Sequence, residues 1–265
     1  MCIFSGSVES VSGTKIFCRA TDAVRQCIVY SMQYEAAAEL AMVLPLPVPP
    51  ASAEDCVAFV DLSGYSDFFD DLDAGFPQDR SKRMLTDEIC DNAPRSATLV
   101  VHEVGDFEAS FVPSVQAFDR LDARFRLPPN TWERLPRYGD WGFAVFKLKA
   151  GAKAVSPMAL TFPRRDASSL YFPTTHIHDG EVHQEAEFDH ALYCQEPGVA
   201  AKSPNGDWEC SHEAASQFAN VDASRGLIAA NQRVLRLKMH GMHRNEDVYC
   251  PPRPPVASSS GCVAM

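Results

Sequence analysis

Four prolines crowd the six residues Pro45-Leu-Pro-Val-Pro-Pro50, and no other feature narrows the fold as much. Each proline fixes its own φ, lacks a backbone N–H and pushes the residue before it toward β or polyproline II geometry. The segment must be extended. Just before it, Glu39-Leu-Ala-Met-Val-Leu44 is apolar and reads as a strand feeding that connector. Leu40 to Pro50 is also the most apolar run in the chain, and it falls far short of the roughly 18 apolar residues of a membrane span.

Strand signals continue on both sides. Thr14–Ala20 alternates, Gln26–Met32 is β-rich, and Thr21-Asp22 supplies a turn between them. Ala97–Val104 and Phe107–Val112 flank Gly105-Asp106 as a hairpin. Trp141–Lys149 and Met158–Phe162 are further strands around Ala150-Gly151. Helices are expected to be few and short. Ser52 followed by Asp55 resembles a capping box and predicts a helix over Ala53–Leu62. A second is predicted over Ser66–Leu72, with Phe68, Phe69 and Leu72 inward and Asp67, Asp70, Asp71 and Asp73 on a solvated face. Others are expected over Val115–Phe125, Glu213–Asn220 and Ala223–His240, while Gln78–Ser96 and Gly198–Asp207 read as mostly loop. The fold class is therefore α+β: mainly antiparallel sheet, or a decorated β-sandwich, with a few short helices. One globular domain over 1–250 is expected, followed by a flexible Pro/Ser-rich tail over 251–265.

Charge excludes some functions. The net charge is −11, from 24 basic and 35 acidic residues, and basic residues occur only in short pairs such as Arg164-Arg165. Nucleic-acid backbones and anionic membranes are therefore not expected partners. Nine cysteines, an odd number with no CxxC spacing, read as mostly reduced thiols; Cys18, Cys27, Cys56 and Cys90 sit in apolar patterns. The start Met1-Cys-Ile-Phe-Ser-Gly lacks the regions of a signal peptide, so a cytoplasmic location is expected.

Chemistry concentrates around Asp179-Gly180, a favoured type I′ pair. A two-residue turn there would set 178 opposite 181 and 176 opposite 183. His176, His178, Glu181 and His183 would then share one sheet face, with Ile177 and Val182 on the other. Three imidazoles suit a divalent transition metal such as Zn, Fe or Cu, with Glu181 as fourth ligand or as general base. By strict alternation His190 falls on the opposite face unless a bulge intervenes. The bland alternative is an exposed face of histidines that titrate with no assigned task. The His-x-His pattern is loosely similar to the cupin metal motif, but its spacing is tighter and the flanking glycines are absent, so that family is not assigned. Met239-His-Gly-Met-His243 is a second, shorter Met/His patch.

Both chain ends carry rival motifs. Removal of Met1 would expose Cys2, which resembles the start of N-terminal-nucleophile amide hydrolases; Asn205-Gly206-Asp207 echoes elements that lie far apart in that class. Cys262-Val-Ala-Met265 fits a prenylation box without the upstream basic segment. The start Met1-Cys-Ile-Phe-Ser, the run Leu40–Pro49 and Phe143–Lys149 together resemble a bacterial protein family with an early Leu-Pro-x-Pro signature and no known activity. That resemblance implies a prokaryotic source and nothing about function. The leading expectation is a metal-binding protein, extending to a metal-dependent hydrolase or oxidoreductase, with His176, His178 and His183 as ligands. The alternatives are an amide hydrolase using Cys2 and a non-enzymatic binding or scaffold module whose Pro-rich segment meets a protein partner.

Overall fold

The structure is a computed structural model that describes residues 2–76, 102–104, 107–127, 131–178, 181–196, 202–203 and 206–251. In chain order its strands begin with β1 (Cys2–Phe4), β2 (Ser10–Ala20), β3 (Arg25–Ala36), β4 (Leu40–Leu46) and β5 (Ala58–Val60). The helix α1 (Phe68–Ala74) precedes β6 (His102–Val104) and β7 (Phe107–Val112). The short helix α2 (Thr131–Arg134) precedes β8 (Gly142–Leu148), β9 (Gly151–Ala154), β10 (Met158–Pro163), β11 (Leu170–Phe172) and β12 (His176–Ile177). The long β13 (Glu185–Gln195) is followed by β14 (Lys202–Ser203), β15 (Gly206–Asp207), β16 (Glu209–Cys210), β17 (Leu235–Arg244) and β18 (Val248–Cys250).

Two sheets dominate. The six-stranded sheet runs β12-β1-β4-β8-β7-β6, and the eight-stranded sheet runs β16-β17-β13-β2-β3-β10-β5 with β9 beside β3. The pairings are antiparallel except β1 with β12 and β13 with β2. The mainly antiparallel expectation therefore holds, with few and short helices. Two-stranded ribbons β11–β18 and β14–β15 complete the architecture.

Period-two patterning explains how the core divides. On β3, Ile28, Tyr30, Met32 and Tyr34 join the main buried cluster, which also takes Met42, Leu44, Phe143 and Phe146 from the other sheet. Cys27 and Val29 point the other way, into a second cluster beneath α1 with Phe68, Phe69 and Leu72. The eight-stranded sheet is thus covered on both faces along the first half of β3, where Gln26–Tyr30 is buried throughout, while Gln33 and Glu35 further on are exposed. The proline-rich connector does as its chemistry requires. β4 pairs with β8 from Leu40↔Leu148 to Leu46↔Gly142, and Leu44, Leu46 and Val48 are buried.

Several local expectations are corrected. Residues 53–62 are not a helix. The Ser52 hydroxyl donates to the Pro49 carbonyl instead of capping a helix, and Ala58–Val60 becomes an edge strand on β10. Residues 223–240 are not a helix either: Arg225 (φ 51°) and Gly226 (φ 82°) are left-handed and end the turns, after which Leu235 onward pairs with β13. Val115–Arg120, Ala123–Phe125 and Ala215–Gln217 are 3₁₀ turns, tighter and shorter than the predicted helices. Helix α1 matches, with Phe68, Phe69 and Leu72 buried, but Asp73 is not simply solvated. It takes Lys15, Arg236 and the Tyr193 hydroxyl as partners. The β6–β7 pairing flanks Gly105-Asp106 as expected, although those two residues, all of 77–101 including Cys90, and the tail after Pro251 lie outside the described residues.

Candidate functional site

The histidine hairpin does not form. Residues 176–177 pair in parallel with the chain's first strand, Cys2↔His176 and Ile3↔Ile177, and not with 181–183. The Asp179-Gly180 turn lies outside the described residues. The cause is long-range: β1 offers a sheet edge, and a ladder onto a six-stranded sheet outcompetes an isolated two-stranded hairpin.

His176 is held by its backbone. Its N–H donates to Asn245 Oδ1 at 2.6 Å, and Asn245 Nδ2 donates to the His176 and His183 carbonyls at 2.8 and 3.0 Å. One step earlier, Asp247 Oδ1 accepts from the Thr174 and Thr175 N–H groups at 3.0 and 3.2 Å. Tyr138 donates its hydroxyl to Asp247 Oδ2 at 2.6 Å. Two side chains from the connection between β17 and β18 therefore fix three consecutive residues, which orients the imidazole without touching its ring.

Around that ring other histidines gather. His176 Nδ1 lies 3.2 Å from His178 Nε2. The His190 ring, brought by β13, sits 4.7 Å from that of His176, centroid to centroid. Phe188 packs on His176 at 4.5 Å and on His243 at 5.4 Å, so one aromatic ring separates the cluster from the second Met/His patch. In that patch His240 Nδ1 lies 3.2 Å from Asp189 Oδ1, and Met239 stands opposite His190 in register. A cavity of about 380 Å³ opens beside the cluster, lined also by Ser12, Thr14, Glu187 and Asp189.

The electrostatics keep His176 and His190 neutral. Burial above all, with neighbouring His178, pushes the His176 pKa down to about 2. Burial above all, with the two neighbouring histidines, pushes His190 well below its ordinary value. His176 is only 8% exposed, and its Nε2 is buried with no hydrogen-bond partner.

The predicted residues therefore separate. His176 and His178 come together. His183 is exposed and contributes its carbonyl to Asn245. Glu181 leaves the cluster to pair with Arg134. His190, which alternation set on the opposite face, belongs with His176 because β13 runs parallel to β2 and turns its even residues Phe188, Leu192 and Cys194 inward. That inward run of alternating apolar residues was the signal available for His190. Cys2 has its backbone beside His176, which brings the two rival sequence readings to one place, while its side chain and Cys262 lie outside the described residues. Among the described residues no three His, Cys, Asp or Glu side chains stand in metal-ligand geometry, and no helix is long and apolar enough to cross a membrane.

No family model matches the chain. Among solved structures it is similar to baculovirus P35, with a TM-score of 0.48 and 14% identity over 92% of this chain and 96% of that one. A mutated baculovirus P35 after caspase cleavage gives a TM-score of 0.48 and 14% identity over 90% and 99% of the two chains. P35 in the caspase-8/P35 complex gives 0.44 and 13% over 90% and 95%. Nothing about activity transfers at these values.

Proposed function

We propose that the chain binds a divalent transition metal ion, Zn, Fe or Cu, through His176 and His178, with His190 as the third imidazole. The carrying observation is the 3.2 Å between His176 Nδ1 and His178 Nε2. Two nitrogens at Zn–N distances of 2.0–2.1 Å around one tetrahedral ion lie about 3.3 Å apart. Neutral imidazole is the ligand form, and burial keeps His176 and His190 in that form. The second layer supports the reading. Asn245 and Asp247 hold the backbone of 174–176 as outer-shell groups hold ligands elsewhere. With an ion on Nδ1, the His176 Nε2 proton needs an acceptor, and one water molecule in the polar cavity supplies it. His190 completes the set by a side-chain rotation, since it stands in ring contact with His176 and not in ligand geometry. In this reading His183 and Glu181 are not ligands.

A hydrogen bond between two imidazoles has the same spacing, and a titration separates the two cases. Purified chain is titrated with Zn(II) or Co(II) and followed by calorimetry and by the visible bands of tetrahedral Co(II). One ion per chain is expected. His176→Ala and His178→Ala should each lose more than the roughly 10–100-fold that removal of an outer-shell partner costs, while His183→Ala leaves affinity unchanged. No stoichiometric binding, or equal loss with His183→Ala, overturns the proposal.

A further inference from the structure

Away from the histidines, three thiols meet where the β11–β18 ribbon lies against the eight-stranded sheet. Cys194 Sγ and Cys250 Sγ are 4.0 Å apart, and both side chains are fully buried. Cys18, the register partner of Cys194 on β2, donates its thiol to the Tyr171 carbonyl at 3.3 Å. We propose that Cys194 and Cys250 are a disulfide-forming pair, closed by a small-molecule disulfide, whose bond staples the C-terminal strand β18 to β13.

The two partners differ in mobility, and that sets the order of events. β13 is an interior strand, paired along its length with β17 and β2. β18 is three residues long and, among the described residues, pairs with β11 alone. β11 is itself anchored: Gln26 Nε2 donates to the Tyr171 carbonyl at 2.9 Å, and the Tyr171 N–H donates to Gln26 Oε1 at 3.1 Å. The outer strand β18 therefore opens first and exposes Cys250. Its thiolate attacks the oxidant, R–S–S–R, forming a Cys250–S–S–R mixed disulfide and releasing one thiolate, which takes up the proton Cys250 lost. When β18 closes, the Cys194 sulfur attacks the Cys250 sulfur and displaces the second R–S⁻, which leaves with the Cys194 proton. The two protein sulfurs are oxidised, and one oxidant is reduced to two thiols. Closure must shorten the sulfur separation from 4.0 Å to about 2.05 Å, which a three-residue strand can follow and β13 need not. Burial raises the Cys194 pKa well above its ordinary value, so that thiol is inert while the ribbon is shut, and the fully buried Cys250 is then out of an oxidant's reach.

The folded full chain is incubated with excess oxidised glutathione, alkylated, and analysed by intact mass and peptide mapping. The expected product has lost two hydrogens and carries a Cys194–Cys250 cross-link. It forms faster in sub-denaturing urea, and its thermal midpoint is roughly 5–10 °C above that of the reduced chain. Cys18→Ala should leave the cross-link intact, whereas Cys250→Ser abolishes it. A Cys18–Cys194 link, a glutathione adduct on Cys250 that never resolves, or oxidation of the unfolded chain alone overturns the proposal. The wild-type peptide map decides even if Cys250→Ser fails to fold.

Discussion

β13 carries two polar clusters on opposite faces, and they are built on opposite terms. On one face Tyr193 donates to Asp73 Oδ1 at 2.6 Å, Arg236 reaches Asp73 at 3.1 Å and Glu209 at 2.7 Å, and Lys15 reaches Asp73 Oδ2 at 3.1 Å. Donors and acceptors there match. On the other face His176 and His190 are buried as neutral rings, and His176 Nε2 has no partner. The first cluster is stabilised by its own contacts. The second carries a cost of the order of 1–3 kcal/mol for an unsatisfied buried group, which a ligand can offset. The contrast separates a satisfied polar network from a cluster that leaves a buried nitrogen unsatisfied.

The largest expected effect breaks the first cluster. Asp73→Ala leaves the Tyr193 hydroxyl unpaired and Arg236 with Glu209 alone, and should destabilise the chain by roughly 2–4 kcal/mol in urea unfolding. A loss under 1 kcal/mol would show that the network contributes little. Acid should then part the two faces. His176, with a folded pKa of about 2 against an unfolded value near 6.5, and His190, lowered in the same direction, stay neutral while the unfolded chain takes up protons. Stability of the metal-free chain therefore falls as pH drops below about 6.5, by about 1 kcal/mol per pH unit for each imidazole. Asp73 acts lower on the scale. Burial alone would raise it, but Tyr193, Lys15 and Arg236 outweigh burial and hold it below its ordinary value. Its contribution is present above about 3.9, its unfolded value, and is lost as pH falls through the lowered folded value. Unfolding curves from pH 7 to 3 that show no slope between 6.5 and 4.5 would contradict the neutral-histidine picture. The smallest effect sharpens the comparison. His176→Phe removes the unpaired nitrogen in a similar shape, so stability at pH 7 should change by less than about 1 kcal/mol. A loss above 2 kcal/mol would place the histidine face with the structural network.

Local chemistry made much of this legible. β2, β3, β4, β8 and β10 follow from alternation and from the proline run, and α1 from its inward Phe68, Phe69 and Leu72. Failures came where a distant partner overrides a local pattern. Ala53–Leu62 has a plausible cap, yet Ala58–Val60 gains more as an edge strand on β10. Leu235, Leu237 and Met239 alternate with Arg236, Lys238 and His240, a period-two pattern inside the span expected as helix, and the segment completes the ladder of β13. The site shows the same division. His176 and His178 adjoin in sequence and were found together. Strict alternation from the hairpin sets His190 on the opposite face unless a bulge intervenes, because it carries a register through residues that do not pair. No local spacing reveals that β12 seeks β1, or that β13 lies parallel to β2.

That β1–β12 pairing has a consequence for synthesis. β1 waits between β4, which follows soon after it, and β12, which arrives in the second half of the chain. Asn245 and Asp247, which clamp 174–176, arrive later still. A nascent chain stalled before β12 has its first strand docked on one side only, and one stalled before Asn245 has no clamp on His176. The histidine cluster is therefore complete only after Asn245 and Asp247 have been synthesised, and a chain truncated before β12 would carry an open strand edge in its place.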